Sequence, residues 1–358
     1  MYSVLVLPGD GIGPEVIRCA IDVLEKAGKK YAVQFEWWEQ QCGAEYYQKT
    51  GIAIQIKTQE LLRKADAILL GAIGLPTVRR DDGSEVADEI VLDIRKELDL
   101  YANIRPIKKL PGNYGPLKGK EIDYYIIREN TEGLYASTSG GIILGDQVAV
   151  DNLVVTRRGV ERITEKAFSI ALQSAGCPRT GIKRVTCVDK ANTLKSHIFF
   201  RKVFVDISKK YSHVETEFEY ADAITVRMIL NPETLNVIVC ENMIGDIISD
   251  LGAATIGGMG LAPSANIGLH HGMFEPVHGS APGIAGANNA NPIAAILSGE
   301  MMVRWLGKTK KDSNMMDCAD LIEKSVKKTM TEGIVTEDLG GDSSTSEVTD
   351  RILKNLDG

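Results

Sequence analysis

The sequence predicts an α/β protein built from β-α-β units. Short apolar runs of strand length occur at residues 4–7, 67–70 and 237–240, and each is followed by glycine or polar residues. Residues 14–27 and 159–175 carry apolar side chains at the spacing of one helix face. Strands that alternate with helices along a chain are typical of sheets that are covered by helices.

The other elements follow from the same patterns. Residues 134–149 are rich in Gly, Ser and Thr and lack helical periodicity, which predicts hairpins or an extended arm. Residues 252–269 carry no charge, but their Gly, Pro, Ser and Asn content argues against a membrane-spanning helix and predicts a tight interior loop. Further strands are predicted at residues 33–37, 124–127 and 185–188, and further helices at residues 58–64, 290–306 and 317–331.

Composition is that of an ordinary globular protein and restricts the class of partner. The 358 residues are 44% hydrophobic and 25% charged, and a chain of this length usually forms about two domains. The net charge of −7 argues against nucleic acid as a partner. The six cysteines form no Cys-x-x-Cys pair and the N-terminus lacks a signal-peptide pattern, so we expect free thiols in a soluble cytoplasmic protein without a membrane segment.

A pair of aspartates predicts a metal site. Asp246 and Asp250 follow the apolar run at residues 237–240 and lie four residues apart, so a helix places both carboxylates on one face. Two like charges at this spacing repel each other unless a cation neutralises them. Carboxylate oxygens suit Mg²⁺ or Mn²⁺, and the apolar neighbours Ile244 and Ile247 argue against a fully solvated helix face.

Three arginines form a candidate site for a polycarboxylic substrate. Arg95, Arg105 and Arg128 each lie at or beside an apolar segment. A guanidinium group binds a carboxylate through two parallel hydrogen bonds and stays charged at any working pH. For each arginine taken alone, an ion pair with a surface acid remains the alternative.

Two glycine-containing segments are candidate ligand loops. Glycines at residues 9–13 follow a strand and precede a helix, but their spacing differs from the dinucleotide-binding fingerprint, so a tight turn and a phosphate contact both fit. Residues 275–291 combine small residues, which let backbone amides approach a ligand, with His and Asn side chains that suit a base or ribose. Lys190 follows a buried strand and is a candidate for proton transfer.

Together these segments resemble the β-decarboxylating dehydrogenases, the family of isocitrate, homoisocitrate, 3-isopropylmalate and tartrate/D-malate dehydrogenases. Several motifs in family order are more specific than any one motif alone. The resemblance extends over nearly the whole chain and rests on residues 9–16, 95–106, 128–135, 188–192, 222, 241–250, 261–268 and 275–292.

The resemblance implies a two-domain α/β fold of the isocitrate/isopropylmalate dehydrogenase type, with mixed sheets and without a Rossmann unit. Residues 1–100 and 257–358 would form a terminal, cofactor-binding domain, and residues 101–256 a central domain for dimerisation and substrate binding. The implied assembly is a homodimer or higher oligomer with shared active sites in the interdomain cleft. The arm at residues 134–149 would lie at the dimer interface.

The same resemblance implies a role for each candidate residue. Asp246 and Asp250 would bind Mg²⁺ or Mn²⁺ together with Asp222 of the partner subunit. Lys190, also from the other subunit, would assist removal of the C2 hydroxyl proton, and Tyr135 would protonate the enolate after CO₂ leaves. The malate carboxylates would be held by Arg95, Arg105 and Arg128, and the cofactor by Asn192, Glu275, His278, Gly279, Ser280, Ala281, Ile284 and Asn291.

The positions that distinguish the cofactors of the family favour NAD. NADP-dependent relatives carry Lys-Tyr directly after the loop that corresponds to residues 278–282, and a Tyr and an Arg near the C-terminus. The corresponding residues here are Gly283, Ile284, Glu337 and Gly341, which offer no cation to a 2′-phosphate. NAD-dependent isopropylmalate relatives have an Asp at the position of Gly283, where it binds the adenine ribose.

The segment before the first arginine bears on the substrate. Asp88, Val91 and Leu92 stand where isopropylmalate enzymes have Glu, Leu and Leu. An apolar pair flanked by acids suits an alkyl group and repels a further carboxylate. Against this, residues 128–135 resemble the isocitrate, homoisocitrate and tartrate branches, and the arginines at residues 79–80 could receive a distal carboxylate.

We therefore expect NAD-dependent oxidative decarboxylation of a (2R,3S)-type 3-substituted malate, namely 3-isopropylmalate to 2-oxoisocaproate in leucine biosynthesis. Isocitrate or homoisocitrate, and tartrate or D-malate, are the alternative substrates. A non-catalytic regulatory subunit is the alternative from another class of protein. Such relatives have a degenerate site, whereas Lys190, Tyr135 and the aspartates are all present here.

Overall fold

Strands and helices alternate through most of the chain. The computed structural model describes residues 1–81, 83–112, 114–135 and 141–358, and the side chains of Asp88 and Glu89 lie outside this description. The strands are β1 (Tyr2–Leu7), β2 (Phe35–Glu39), β3 (Ala67–Leu70), β4 (Ala102–Lys108), β5 (Asp123–Glu129), β6 (Ile142–Leu144), β7 (Val148–Val150), β8 (Arg184–Asp189), β9 (Glu215–Tyr220), β10 (Val237–Cys240), β11 (Pro263–Ile267) and β12 (Gly272–Pro276). The helices are α1 (Gly13–Lys30), α2 (Ala44–Thr50), α3 (Ile56–Lys64), α4 (Val86–Glu97), α5 (Arg157–Gln173), α6 (Lys195–Ser208), α7 (Ala221–Leu230), α8 (Asn242–Ile256), α9 (Ile293–Lys310), α10 (Ser313–Thr331) and α11 (Thr345–Asn355).

Two compact units divide the chain, and the first, here called the terminal unit, contains both ends. It comprises Met1–Leu98, Leu110–Gly115 and Gly257–Gly358. Its strands run in the order β2-β1-β3-β12-β11, and all neighbours are parallel except the antiparallel pair β11 and β12. Helix α9 packs against β3, β11 and β12, and α1 packs against α9, α10 and α11. This unit is therefore a mixed sheet with helices on it.

The second, central unit comprises Asp99–Lys109 and Pro116–Ile256. Its strands run in the order β4-β5-β10-β8-β9, with β4 antiparallel to β5 and the other neighbours parallel. Helices α5 and α6 close an apolar core in which Phe168 stacks on Tyr211 with 4.5 Å between ring centroids. Strands β6 and β7 form a separate antiparallel hairpin with exposed apolar side chains.

Helix α8, which carries the aspartate pair, begins where a carboxylate caps it. The side chain of Glu241 accepts hydrogen bonds from the backbone N–H groups of Met243 at 3.0 Å and Ile244 at 2.8 Å. These N–H groups have no partner inside the helix, and a carboxylate also opposes the positive end of the helix dipole. The cap fixes the first turn of α8 and thereby the direction of the side chains that follow.

The predicted α/β class and the predicted strands and helices are confirmed, with bounds that shift by a few residues. Part of the predicted arm forms the β6–β7 hairpin, and residues 136–140 lie outside the described residues. The prediction of a tight interior loop at residues 252–269 is wrong, because this segment holds the end of α8 and the buried strand β11. Gly257 and Gly258, with φ of 125° and 119°, end the helix and turn the chain into the strand.

The glycines at residues 9–13 form a tight turn that packs against the backbone of the terminal unit. Gly9 and Gly11 have φ of 76° and 58°. A Cβ atom on Gly9 would lie 2.1 Å from the carbonyl oxygen of Ala72, and one on Gly11 would lie 2.1 Å from that of Ser280. Only glycine fits at these two positions, because the turn lies directly against the backbone of Ala72 and Ser280.

Two further expectations concern thiols and membranes. All six cysteines are free, as expected from their spacing. No helix in the described part of the chain combines the length and the apolar character needed to cross a membrane.

Candidate active site

Asp246 and Asp250 project from one face of α8 and share a single guanidinium group. Arg105, on β4, donates from Nη1 to Oδ1 of Asp250 at 3.1 Å and from Nη2 to Oδ1 of Asp246 at 3.4 Å. The guanidinium is held in turn by Oδ1 of Asn103 at 2.9 Å and Oγ of Ser249 at 2.6 Å. The expected repulsion between the two carboxylates is thus offset by a cation from a neighbouring strand.

A second arginine reaches the same carboxylate from β5. Arg128 donates from Nη1 to Oδ1 of Asp246 and from Nε to Oδ1 of Asn242 at 2.9 Å. Its side chain is 3% exposed. A Cβ atom on Gly245 would lie 2.6 Å from Cγ of Arg128, so only glycine at this position of α8 lets the arginine pass.

Tyr135 completes the cluster around Asp246. Its hydroxyl donates to Oδ2 of Asp246 at 3.4 Å, and the guanidinium of Arg128 lies 5.7 Å from the centre of its ring. Burial, and then the negative charge of Asp246, raise the pKa of Tyr135, while Arg128 acts in the opposite direction. The phenol is therefore protonated at neutral pH and can serve as a proton donor.

The surroundings of Asp250 in this cluster favour its protonated form. Burial and the charge of Asp246 raise the pKa of Asp250, and Arg105 partly offsets this. Among the described residues, no group of three or more His, Cys, Asp and Glu side chains is arranged to hold a metal ion. Two carboxylates of the described residues, those of Asp246 and Asp250, meet the arginines in this cluster.

Lys190 and Asp222 form a separate pair in the central unit. Nζ of Lys190 donates to Oδ1 of Asp222 at 2.7 Å, and the ammonium group lies 5.8 Å from the ring centre of Tyr220. The Asp222 side chain is 70% exposed, and its hydrogen bond with Lys190 lowers its pKa. Asn192 follows on the exposed turn after β8. The structure therefore joins Lys190 to Asp222 and leaves this pair on the surface.

In the terminal unit, the first predicted arginine meets a predicted cofactor residue. Arg95, on α4, donates from Nη2 to Oε1 of Glu275 at 3.1 Å, and Asn266 donates to the same oxygen at 2.8 Å. Nε of Arg95 is buried and has no hydrogen-bond partner among the described residues. Val91 and Leu92 lie one turn before Arg95 and are half-buried, whereas the side chain of Asp88 lies outside the described residues.

The predicted cofactor loop is attached mainly through backbone and neutral polar groups. The hydroxyl of Ser280 donates to the carbonyl oxygen of Gly74. The backbone carbonyl oxygen of Ser280 accepts from the N–H of Ile12 at 2.8 Å. Asn291 accepts from the N–H of Ile293 at 3.0 Å and donates to Oδ2 of Asp338 at 3.0 Å. Residues 281–288 are exposed, among them Ala281, with φ of 38°, and Ile284.

His278 and the glycines of this loop differ in their surroundings. Nδ1 of His278 lies 3.0 Å from the carbonyl oxygen of Gly279, its Nε2 is buried with no hydrogen-bond partner among the described residues, and burial lowers its pKa. Cβ atoms built on Gly279 and Gly283 meet no atom within 4 Å. Asn289 donates to Oε2 of Glu337 at 3.0 Å, which places a carboxylate beside the loop.

Several residues that hold this site were not predicted. Asn103, Asn242 and Ser249 fix the two arginines, and Asn266 fixes Glu275. Asn103 could have been found, because residues two apart on a strand face the same side. The contacts of Asn242 with Arg128 and of Ser249 with Arg105 span 114 and 144 residues and leave no local signal. Asn266 meets Glu275 across the consecutive antiparallel strands β11 and β12.

Comparisons with known proteins agree with this fold. The family model described as isocitrate/isopropylmalate dehydrogenase matches residues 3–352. The 3-isopropylmalate/3-methylmalate dehydrogenase of Methanocaldococcus jannaschii is 40% identical over 357 residues, covering 99% of each chain. The homoisocitrate dehydrogenase of the same organism is 41% identical over 367 residues, covering 99% of this chain and 98% of its own. The crystal structure of isocitrate dehydrogenase from Methylococcus capsulatus superposes with a TM-score of 0.88 at 34% identity, covering 100% of both chains.

The class of protein that these findings define is a β-decarboxylating dehydrogenase. The chain belongs to the isocitrate/isopropylmalate dehydrogenase family. The predicted family and fold type are therefore confirmed.

Proposed function

We propose that this chain is an NAD-dependent and metal-dependent enzyme that oxidises and decarboxylates 3-isopropylmalate to 2-oxoisocaproate. The observation that carries the proposal is the cluster in which Arg105, Arg128 and Tyr135 meet at Asp246. A malate that loses CO₂ needs cations for its carboxylates, a metal ligand and a proton donor, and this cluster combines all three. Relatives named 3-isopropylmalate dehydrogenase that match nearly the full chain support the substrate.

Arg105 and Arg128 bind the carboxylates of the malate core in this proposal. Both are buried, and neutral side chains hold their Nε atoms, so their charged ends have little freedom left to lose when a dianion binds. Arg95 is the third arginine of this proposal, and its buried Nε, which has no hydrogen-bond partner among the described residues, supports a role in binding a ligand. Each arginine offers planar, two-point hydrogen bonding to a carboxylate.

Asp246 and Asp250 would hold the divalent metal, together with Asp222 of the partner subunit. Their carboxylate oxygens are the hard ligands that Mg²⁺ and Mn²⁺ prefer, so the donor set fits. When bound, such an ion acidifies the C2 hydroxyl and stabilises the negative charge that follows loss of CO₂. Arg105 would remain beside both carboxylates and limit their mutual repulsion.

Tyr135 donates the proton that replaces CO₂ at C3. Burial keeps its phenol protonated at neutral pH, as a general acid requires. The guanidinium of Arg128, 5.7 Å from the ring centre, stabilises the phenolate that this transfer leaves behind. Lys190 assists the first proton transfer, from the C2 hydroxyl, at the site of the other subunit.

A homodimer completes the site in this proposal. Lys190 and Asp222 are already paired on the surface of one chain, so they can be delivered together to a second copy. Large exposed apolar side chains lie on the two neighbouring helices, with Leu230 of α7 58% exposed and Ile247 of α8 60% exposed. Apolar surface of this kind marks an interaction site, and a second copy would cover it.

NAD is the proposed cofactor, held by the loop at residues 278–291. Its open glycines and exposed backbone leave room for a ribose and base to approach. Glu337, bonded to Asn289 of this loop, would repel the 2′-phosphate of NADP. Asn192 contributes near the nicotinamide end in the family resemblance.

The substrate assignment depends on α4. Val91 and Leu92 lie one turn before Arg95 and are half-buried, so they can cover an alkyl group near the arginine. Burying about three carbons contributes roughly 2 kcal/mol, or about thirtyfold in kcat/KM. Homoisocitrate is the second candidate, because a homoisocitrate dehydrogenase is 41% identical to this chain.

Competition kinetics test the substrate. NAD reduction would be measured with Mg²⁺ or Mn²⁺ and 3-isopropylmalate, isocitrate, homoisocitrate, D-malate or tartrate, alone and in pairs. We expect the highest kcat/KM with 3-isopropylmalate, and Val91→Ser to lower it for this substrate more than for D-malate. A preference for a tricarboxylate would contradict the assignment of Val91 and Leu92 to an alkyl group. A lack of turnover with every malate would contradict the proposed dehydrogenase activity.

A further inference from the structure

The segment that carries Lys190 is fastened to the beginning of α6. The backbone N–H of Lys190 donates to Nδ1 of His197 at 2.7 Å. Its carbonyl accepts from the N–H groups of Thr193 and Leu194, each at 3.0 Å. Both backbone groups of Lys190 are therefore hydrogen-bonded within the turn between β8 and α6.

A second side chain of α6 holds the residue before the lysine. Arg201 binds both carboxylate oxygens of Asp189, at 2.8 and 2.7 Å, and Asp189 accepts the N–H of Ala191 at 2.8 Å. Residues four apart share a helix face, so His197 and Arg201 act on the end of β8 from the same side. Of the two, His197 is the one that contacts Lys190 itself.

The imidazole of His197 makes this bond only in its neutral form. Nδ1 must keep its lone pair, so the ring proton lies on Nε2, which is buried with no hydrogen-bond partner among the described residues. The residue is 2% exposed and lies in the first turn of α6, where the helix dipole opposes a positive charge. Burial lowers the pKa of His197, and the carboxylates of Glu241 and Asp189 raise it. The cations in this hydrogen-bonded network are Lys190 and Arg201, and Arg201 is paired with Asp189.

We infer that His197 is a positioning residue for Lys190, which it holds at the end of β8 through the lysine's backbone N–H. The inference rests on the proposed role of Lys190 in proton transfer. Without the acceptor at Nδ1, the peptide of Lys190 would lose its partner and the turn would relax. A displacement of about 1 Å at a catalytic group can lower a rate roughly a hundredfold.

Two substitutions separate the hydrogen bond from the packing. His197→Asn keeps a hydrogen-bond acceptor close to the position of Nδ1. His197→Leu fills the space of the ring with an apolar side chain and removes the acceptor. We expect His197→Leu to lower kcat for 3-isopropylmalate roughly tenfold to a hundredfold with KM changed less than about threefold, and His197→Asn to restore most of it. His213→Asn, an exposed histidine of the same unit, is the matched control.

The pH profile gives a readout that packing alone would not change. In the wild type, protonation of His197 removes the acceptor as the pH falls below 6.5, the ordinary value for histidine. The amide of His197→Asn does not titrate. The ratio of kcat in His197→Asn to kcat in the wild type should therefore rise as the pH falls below that value. A ratio that does not change with pH would contradict the inference.

Nitrogen NMR of the wild-type protein tests the geometry without a measurement of turnover. In protein labelled with ¹⁵N-histidine, His197→Asn assigns one of the five histidine signals. We expect a neutral ring at pH 7 with its proton on Nε2, and a proton on Nδ1 would overturn the inference. If Lys190→Ala keeps full turnover, the proposed function of the lysine is wrong. If Lys190→Ala is inactive while His197→Leu keeps wild-type kcat, this inference alone is wrong.

Discussion

The central and terminal units present their proposed ligand residues in opposite ways. Around Asp246, two buried arginines and a tyrosine are hydrogen-bonded to the carboxylate, and strands β4 and β5 carry the two arginines. At residues 278–291, the chain is largely exposed and held by Ser280 and Asn291 at its two ends. The cluster around Asp246 therefore holds its charged groups in place before a ligand binds, whereas the loop at residues 278–291 offers mainly exposed backbone. Substitutions should therefore be far more costly for activity in the first region.

The largest effect is expected at the carboxylate that both arginines share. Asp246→Asn removes the charge that a divalent metal and two guanidinium groups need, so we expect kcat/KM to fall by about a thousandfold or more. Asp317→Asn, an exposed aspartate on α10, is the matched control. EDTA should abolish wild-type turnover, and full activity in EDTA would remove the metal from the account.

A smaller loss is expected when the proton donor of the same cluster is removed. Tyr135→Phe keeps the ring beside Arg128 but loses the hydroxyl, and general acid catalysis contributes roughly a hundredfold or more. Single-turnover measurements should show slow product formation after fast NADH formation. Tyr211→Phe, a tyrosine of the central core, provides the control. An unchanged rate of product formation would exclude Tyr135 from this role.

A buried carboxylate outside the proposed site should affect stability and not activity. Burial raises the pKa of Glu300 from 4.5 to about 7, although Arg304 acts in the opposite direction. The Glu300 carboxylate therefore binds a proton more readily in the folded state than in the unfolded state. The stability that this protonation contributes is lost as the pH rises from 4.5 to 7.

Glu300→Gln should remove this part of the pH dependence, an effect of about 3 kcal/mol in the free energy of unfolding, since one pKa unit corresponds to about 1.4 kcal/mol. Urea unfolding between pH 4.5 and pH 8 measures it, with Glu60→Gln on exposed α3 as the control. Equal pH dependence in Glu300→Gln and the wild type would show that Glu300 is not the group that titrates. A large loss of kcat in Glu300→Gln would break the contrast between the two regions.

The smallest effect, a gain, is expected in the loop. A Cβ atom on Gly283 meets no atom within 4 Å, so Gly283→Asp fits and offers a carboxylate to the adenine ribose. One hydrogen bond to a charged group contributes roughly 1.5 kcal/mol, so NAD should bind about tenfold more tightly. Titration of NAD into both proteins measures this. Weaker binding would mean that the ribose does not lie near Gly283.

Local patterns in the sequence predict the elements and one part of the site. The apolar runs of β1 and β10 and the spacing of Asp246 and Asp250 depend on neighbours a few residues away, so they could be read directly. Helix α4 has a similar pattern, with Val86, Ile90 and Ile94 buried, but is not among the predicted helices. Patterns of this kind carry information about which face is buried, because burial follows helix or strand periodicity.

The partners of the charged groups could not be predicted from local pattern. Arg105 meets Ser249 and Asp250 across more than 140 residues, and Arg95 meets Glu275 across 180. Which acid an arginine chooses depends on the order of strands in the sheet, and strand order has no local signal. The spacing alone suggested a metal as the countercharge on α8, whereas the structure supplies Arg105 and Arg128 as further cations.

The most direct test of the central claim is to measure two ligands on one variant. Mn²⁺ binding in the presence of 3-isopropylmalate and NAD binding would be titrated separately into the wild type and Asp246→Asn. If the central unit holds the metal and the loop of the terminal unit holds NAD, Asp246→Asn should lose Mn²⁺ binding while the Kd for NAD changes by less than about twofold. Wild-type affinity for Mn²⁺ in Asp246→Asn, or an equal loss of both ligands, would contradict this division between the two units.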